Sequence, residues 1–284
     1  MVRVDSFPNI GFILGVTAQN SYLLSRRVAL LGVLSLAIPG WAKAETIPDV
    51  EDFGKIGRLI DGDSFVLSSG LKVRLANIFA PEKGQEYSKA ATSALSTLLE
   101  GRNIGLAYTG PKRDRYDRAL AQVYTLKPDG STDQWVQSEM VRLGYGRVRS
   151  YADTAWQIDA LLAEEIKARQ SGRGLWQSKE FAIRTPAPNI LAQDVDSFQI
   201  VEGLIISSAQ VRGQTFLNFG SDYKTDFTVS IARKDRKAFE KAGIDLTDMD
   251  GARIRVRGWV ELYNGPVIWL DHPQALKFVT TDFS

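Results

Sequence analysis

Two stretches of this chain set out the same order of short strand-length segments and a helix, and that recurrence constrains the fold more than any other feature. In the first stretch, strands are expected at residues 55–60, 64–67 and 72–78, a helix at about 88–100, then strands at 103–108 and 119–126. The second stretch follows with strands at 199–207, 215–219 and 227–231, a short helix at 236–242, and strands at 253–260 and 266–270. The turn signals Ser68-Ser69-Gly70 and Asn264-Gly265 join neighbouring segments tightly enough for antiparallel pairing. The order of elements recurs but the residues do not.

Three strands, a helix and two strands is the order of a small closed barrel of OB type. The expected fold class is therefore α+β, mainly β: a five-stranded OB-type barrel with three helices, followed by a second OB-fold barrel. The first helix places Ala91, Leu95 and Leu98 on one face and stops at Gly101. The second spans about 133–143. The third is expected from a Thr154/Gln157 capping box, with Ile158, Leu162 and Ile166 one turn apart, a Glu165–Arg169 pair, and a stop at Gly172. The boundaries read as a first domain at 50–178, a linker at 179–196 carrying Thr185-Pro186-Ala187-Pro188-Asn189, and a second domain at 197–280.

Residues 1–44 read as an export signal. Arg26-Arg27 precede an apolar run over 28–39, and Ala42-Lys43-Ala44 supplies a small-x-small cleavage site. That run is shorter than the roughly 20 apolar residues of a membrane span, so no stable span is expected in the mature protein. Ser25-Arg26-Arg27 also resembles the start of a twin-arginine signal. The expected location is the periplasm or the medium, or the cell envelope if the signal is not cleaved.

Composition narrows the chemistry. The 284 residues contain no cysteine and one histidine, which excludes disulfides, a thiol nucleophile, a cysteine-type zinc site and a multi-histidine centre. His272, just before Pro273, is expected to be structural. Any metal would be a hard cation held by carboxylates and carbonyls. A net charge of +2 does not advertise a polyanion partner, so nucleic-acid binding has to rest on local clusters.

Several such residues fall in order. Asp61-Gly62-Asp63 sits at a strand junction, Arg74 stands mid-strand where a charge needs a partner or a site, and Glu82 follows Ala80-Pro81 on a constrained loop. A basic cluster, Lys112-Arg113-Asp114-Arg115-Tyr116-Asp117-Arg118, abuts the next strand. Ile60-Asp61-Gly62-Asp63-Ser64, Val73-Arg74-Leu75, Ala80-Pro81-Glu82, Arg115-Tyr116-Asp117-Arg118-Ala119-Leu120-Ala121 and Gly174-Leu175-Trp176 together resemble the successive motifs of the staphylococcal nuclease (thermonuclease) family. The likeness covers about residues 54–177.

The resemblance implies a Ca²⁺-dependent phosphodiesterase acting on DNA and RNA, with Mg²⁺ or Mn²⁺ as other candidate ions. By position, Glu82 would orient or deprotonate the attacking water. Arg74 and Arg118 would bind the phosphoryl oxygens and stabilise the five-coordinate transition state. Asp63 and the Ala80 carbonyl would bind the metal, with Asp61 supporting the hydrated ion. Arg115 and Tyr116 match positions that contact a terminal phosphate, and Tyr151 is the nearest candidate for base stacking. Two positions depart from the family pattern. Phe79 stands where the family has a metal-binding aspartate, and Asp117 where it usually has glycine. Losing one anionic ligand weakens a Ca²⁺ site, because affinity there depends on ligand charge.

In the second stretch, Arg253, Arg255 and Arg257 alternate with Ile254 and Val256 and so share one strand face. With Trp259, Tyr263 and Trp269 nearby, this face is expected either to bind single-stranded nucleic acid or to be an ordinary solvated strand face. The chain as a whole reads as an exported nuclease acting on DNA or RNA. The alternative is a nuclease-fold binding module for nucleic acid or protein, with its catalysis impaired at Phe79.

Overall fold

The structure, a computed structural model, describes residues 47–279, and these lie in one compact unit. The expected export signal lies outside them. No helix among the described residues is long and apolar enough to cross a membrane.

The chain begins with β1 (Val50–Gly54), β2 (Ile56–Leu59), β3 (Ser64–Leu67), β4 (Lys72–Leu75) and the two-residue β5 (Ile78–Phe79). Next come α1 (Ser88–Leu99), β6 (Asn103–Ala107), β7 (Ala119–Leu126), β8 (Thr132–Trp135), α2 (Val136–Arg142), β9 (Arg147–Val148) and α3 (Ile158–Gln170). The first sheet runs β1-β6-β7-β4-β3-β2, with β8 beside β7. Only Lys55 separates β1 from β2, so consecutive pieces of chain form the two ends of this path. Phe65, Leu75, Ile104, Leu106 and Val123 on its inner face pack against Leu95 and Leu99 of α1, Met140 of α2 and Leu161 of α3. That apolar burial drives the assembly.

After a short helix, α4 (Pro188–Leu191), the second sheet uses β10 (Phe198–Leu204), β11 (Ser207–Val211), β12 (Gln214–Asn218) and β13 (Thr228–Ile231). It continues through α5 (Arg236–Lys241), β14 (Arg253–Leu262), β15 (Pro266–Leu270) and β16 (Leu276–Phe278). Its path, β10-β14-β15-β13-β12-β11, matches the first step for step, and only the added strand differs, β16 lying on β14 where β8 lies on β7. In each sheet one parallel pair, β4 with β7 and β13 with β15, closes the order. Asn264 (φ 52°) and Gly265 (φ 94°) take the left-handed conformation in the three-residue connection, Tyr263–Gly265, between β14 and β15. The result is a mainly β, α+β fold with two large sheets.

Four local expectations need correction. The strand expected over 72–78 is broken at Asn77, whose φ of 64° turns the chain so that β5 leaves β4 and pairs with β9. The helix expected from 133 begins only at Val136, because Thr132–Trp135 pairs with β7. No capping box forms at α3. Gln157 occupies the left-handed N-cap, while Thr154 Oγ1 accepts a hydrogen bond from Asn77. Nor does Glu165 pair with Arg169: α3 buries Ile158, Leu161, Leu162, Glu165 and Ala168, leaving Ile166 outside.

The stretch at 179–196 is tied down. Arg184 pairs with Asp194 and donates to the carbonyls of Lys179 and Glu180, and its backbone bonds to β10. The two sheets meet where β9 and α3 face β10, β14 and β16. Arg147 donates to the Phe198 carbonyl at 2.7 Å, and Arg257 donates to the Val148 carbonyl at 2.6 Å and to Glu165 at 2.9 Å. Buried His272 is hydrogen-bonded to Ser150, and Lys277 pairs with Asp159.

Candidate active site

The Asp61-Gly62-Asp63 turn is held against α1. A Cβ on Gly62 would lie 2.6 Å from that of Ala91 and 2.9 Å from that of Ala80, so only glycine lets the turn approach so closely. Asp61 Oδ1 accepts the backbone N–H of Asp63 at 3.0 Å and fixes the turn. Asp63 is thereby directed inward, where it is 4% exposed.

Register brings the next groups to it. Ser64 lies opposite Arg74 in the β3–β4 pair, and the Arg74 guanidinium forms an ion pair with Asp63 Oδ1. Ser64 Oγ donates to the same oxygen at 3.0 Å, and the Ala80 N–H donates to Asp63 Oδ2 at 2.9 Å. Arg74 also donates to the Ile78 carbonyl at 3.3 Å. Burial pushes its pKa down to about 10, and the nearby positive charges of Arg118 and Arg149 act in the same direction.

Arg118 joins from the basic loop. It donates to Ser64 Oγ at 3.3 Å and to Asp114 Oδ2 at 2.7 Å. Asp114 also accepts the backbone N–H groups of Tyr116 and Arg118 and so organises the loop. Burial alone would raise the Asp114 pKa, but these hydrogen bonds outweigh it and hold the carboxyl below its ordinary range. The guanidinium groups of Arg115 and Arg118 lie 4.8 and 5.5 Å from the ring of exposed Tyr116. Asp117 has a φ of 58°, a conformation glycine adopts freely, and lies 4.0 Å from Arg113. Glu82 is exposed on the loop after Pro81. Its N–H is tied to Gln85 Oε1 at 2.7 Å, and its carboxylate accepts no hydrogen bond among the described residues.

Asp61, Asp63, Arg74, Ala80 and Arg118 thus form one connected group, with Glu82 and the Arg115–Tyr116 pair at its rim. The second-sheet arginines do not join it. Arg253 and Arg255 both bind Glu202 on β10, and Arg257 is buried against Glu165. The expected open face of three arginines is therefore corrected at Arg257, whose guanidinium is spent on the contact between the sheets.

The calcium ion implied by the resemblance does not fit this donor set. Both Asp63 oxygens already accept hydrogen bonds, Oδ1 from Arg74 and Ser64 and Oδ2 from Ala80. Phe79 offers no oxygen. Among the described residues, no three carboxylate or imidazole side chains converge, so the anionic charge that strengthens a calcium site is low here.

Two features escaped the sequence. Phe79, 8% exposed, packs its ring 5.5 Å from that of Phe198 and 6.2 Å from that of Trp259, both in the second sheet. These residues and Glu82 line a cleft of about 210 Å³ between the two sheets. Arg149 is the other. Its guanidinium lies 4.8 to 5.8 Å from the rings of Tyr151, Trp259, Phe198 and Phe79. No sequence pattern could assemble that group, since its members come from β5, β10, β14 and the segment after β9.

Residues 72–178 match the family model described as staphylococcal nuclease homologue. A protein named uncharacterized endonuclease from Escherichia coli O157:H7 is 38% identical over 130 residues, covering 45% of this chain and 78% of its own. Micrococcal nuclease of Shigella flexneri is 32% identical over 157 residues, covering 53% of this chain and 84% of its own. Protein ParB of Escherichia coli is 30% identical over 164 residues, or 56% of this chain and 86% of its own.

Proposed function

The chain belongs to the staphylococcal nuclease homologue family, and from that premise we propose that it is a phosphodiester-hydrolysing nuclease whose chemistry Glu82, Arg74 and Arg118 carry. The connected Asp63–Arg74–Ser64–Arg118 group beside a free carboxylate is the observation that carries this reading. Glu82 takes a proton from water, and the resulting hydroxide attacks phosphorus. Charge grows on the phosphoryl oxygens, where Arg74 and Arg118 present fixed donors. One phosphorus–oxygen bond then breaks, and the departing alkoxide takes a proton from solvent, giving a phosphate monoester and an alcohol.

Asp63 and Asp114 act as positioning residues by holding the two arginines in place. The substrate is DNA or RNA, and Arg115 and Tyr116 offer a cation and a ring at the rim for the rest of the strand. Members of this family are generally Ca²⁺-dependent. Because the donor set here does not fit that ion, no step is assigned to it. We read both sheets as OB-type barrels, on the strength of their matching strand paths. The Arg26-Arg27 and Ala42-Lys43-Ala44 pattern favours export, which N-terminal sequencing of protein from a cell fraction would test.

Phe79 favours a second reading, a nuclease fold retained for binding alone. Cleavage of labelled single-stranded DNA by wild type, Glu82→Gln and Arg118→Met separates the two. The nuclease reading expects each substitution to cost roughly 10²–10³ in rate. Equal activity in wild type and Glu82→Gln would sink the assignment, and binding without cleavage would establish the second reading.

A further inference from the structure

In a protein interior a guanidinium ordinarily finds a carboxylate or carbonyl partner, because leaving its donors unmet is costly. Arg257, Arg74, Arg118 and Arg184 all obey this rule. Arg149 does not. Half-buried, it has no hydrogen-bond acceptor and no carboxylate within ion-pair distance among the described residues. Four aromatic rings surround it instead, at 4.8 Å (Tyr151), 5.2 Å (Trp259), 5.7 Å (Phe198) and 5.8 Å (Phe79). Rings stabilise and orient a cation without neutralising it.

The position of this cation gives it a role. The Arg149 backbone N–H donates to the Asn77 carbonyl at 2.9 Å, which anchors it beside β5. Arg74 reaches the carbonyl of Ile78, the residue just before Phe79, so two guanidinium groups flank the same short strand. The charges of Arg115 and Glu82 also act on Arg149, and those of Arg118 and Arg149 on Arg74. Phe79, whose ring Arg149 covers, lines the same cleft as Glu82 and follows the residue that Arg74 grips, so a phosphodiester held there meets the strand that Arg149 flanks.

We propose that Arg149 is a phosphate-binding residue of the nuclease site, supplying the positive charge that a divalent cation supplies in a carboxylate-built site, and that this chain binds nucleic acid without a metal ion. The proposal deepens the nuclease reading and rests on it. Two observations converge on the same spot. Position 79 carries a ring where the cation would need an oxygen, and that ring is one wall of the Arg149 cage. Phe198 and Trp259 complete the cage, so the second sheet contributes to the site through the residues that hold Arg149.

The test is fluorescence anisotropy of the full chain with a labelled single-stranded DNA oligonucleotide, first in EDTA and then in Ca²⁺. Cleavage of the same probe is followed in parallel, and calorimetry is run with Ca²⁺ alone. The expected result is binding in EDTA that Ca²⁺ leaves within about 2-fold, with no calcium heat. Arg149→Met should weaken binding about 10- to 100-fold, as loss of a hydrogen bond between charged groups does, and Arg149→Lys should restore part of it. Matching thermal melts would show that the variants fold; should Arg149→Met melt early, Arg149→Lys with its charge retained decides alone. Binding that requires Ca²⁺, or Arg149→Met binding as well as wild type, overturns the proposal and leaves the nuclease reading intact. Absence of both binding and cleavage, with and without the ion, overturns the nuclease reading and this proposal together.

Discussion

The contact between the two sheets depends on one buried ion pair, and its removal can be worked through in advance. The side chains of Arg257 and Glu165 are 4% and 6% exposed. Arg257 donates to both Glu165 oxygens, at 3.2 and 2.9 Å, and to the Val148 carbonyl at 2.6 Å, while the Val148 N–H donates to Glu165 at 2.7 Å. Arg257→Met strands Glu165 with a single backbone donor and leaves the Val148 carbonyl unmet. Breaking a buried pair from one side costs about 3–5 kcal/mol. For a unit of this size that is roughly 6–20 °C in Tm, provided both sheets unfold together. Arg257→Met/Glu165→Met should recover most of the loss, since both buried charges then disappear. Arg253→Met, removing a half-exposed partner of Glu202, should cost no more than about 1 kcal/mol. Urea unfolding followed by tryptophan fluorescence measures all of these, with Trp259 close to the contact. An Arg257→Met protein within about 1 kcal/mol of wild type, or a double variant no better than the single, would refute the reasoning.

Three other outcomes follow from the same geometry. Asp114→Asn should lower kcat/KM by up to ~10²-fold by loosening Arg118, measured on the oligonucleotide at neutral pH. Because the folded Asp114 pKa lies below its ordinary 3.8, its stabilisation is present above that value and is lost as pH falls through the folded pKa. The stability gap between wild type and Asp114→Asn should therefore close in acid, as a series of melts would record. Asn77→Ala should cost about 2–4 kcal/mol in chemical denaturation, losing its bonds to Thr154 and Gln122 and forcing alanine to a positive φ. Asn77→Gly should relieve the second part of that cost. Phe79→Asp should destabilise by about 3–5 kcal/mol, since it buries a carboxylate against Phe198 and Trp259, and calcium should not raise its Tm.

The order of the five main strands in each half was legible because each is bounded by turn residues that act locally, whereas β9 and the strands that bring each sheet to seven, β1, β8, β11 and β16, were not. Gly70 and Asn264-Gly265 sit at positive φ, where the sequence places them. The likeness to a family likewise identified Asp63, Arg74 and Arg118, which the register of β3, β4 and β7 brings together. What stayed hidden depends on partners far away in sequence. Glu165 looked like a helix-surface residue paired one turn on, yet it lies on the face of α3 that meets β14. Arg253, Arg255 and Arg257 looked like a basic surface because alternation shows which residues share a face but not what covers it. Their partners, Glu202 and Glu165, come from other elements, 51 to 92 residues away. Phe79 looked like a lost ligand, and only the second sheet reveals what it contacts.

That distinction bears on how an anionic strand would be drawn to the site. Arg74 and Arg118 are each matched by a carboxylate, Asp63 and Asp114, so these pairs contribute little net charge at a distance. They keep N–H groups beyond those spent on their partners, which suits them to grip a phosphate at close range. Attraction from farther away needs cations without a nearby anion. Among the described residues of the site, Arg115 and Arg149 have no carboxylate within ion-pair distance, and both lie against aromatic rings that leave their charge intact. In the second sheet, Arg257 is matched by Glu165, and Arg253 and Arg255 share Glu202 without joining the site. The second sheet therefore contributes through shape, walling Arg149 with Phe198 and Trp259, while the charge that meets the strand belongs to the first.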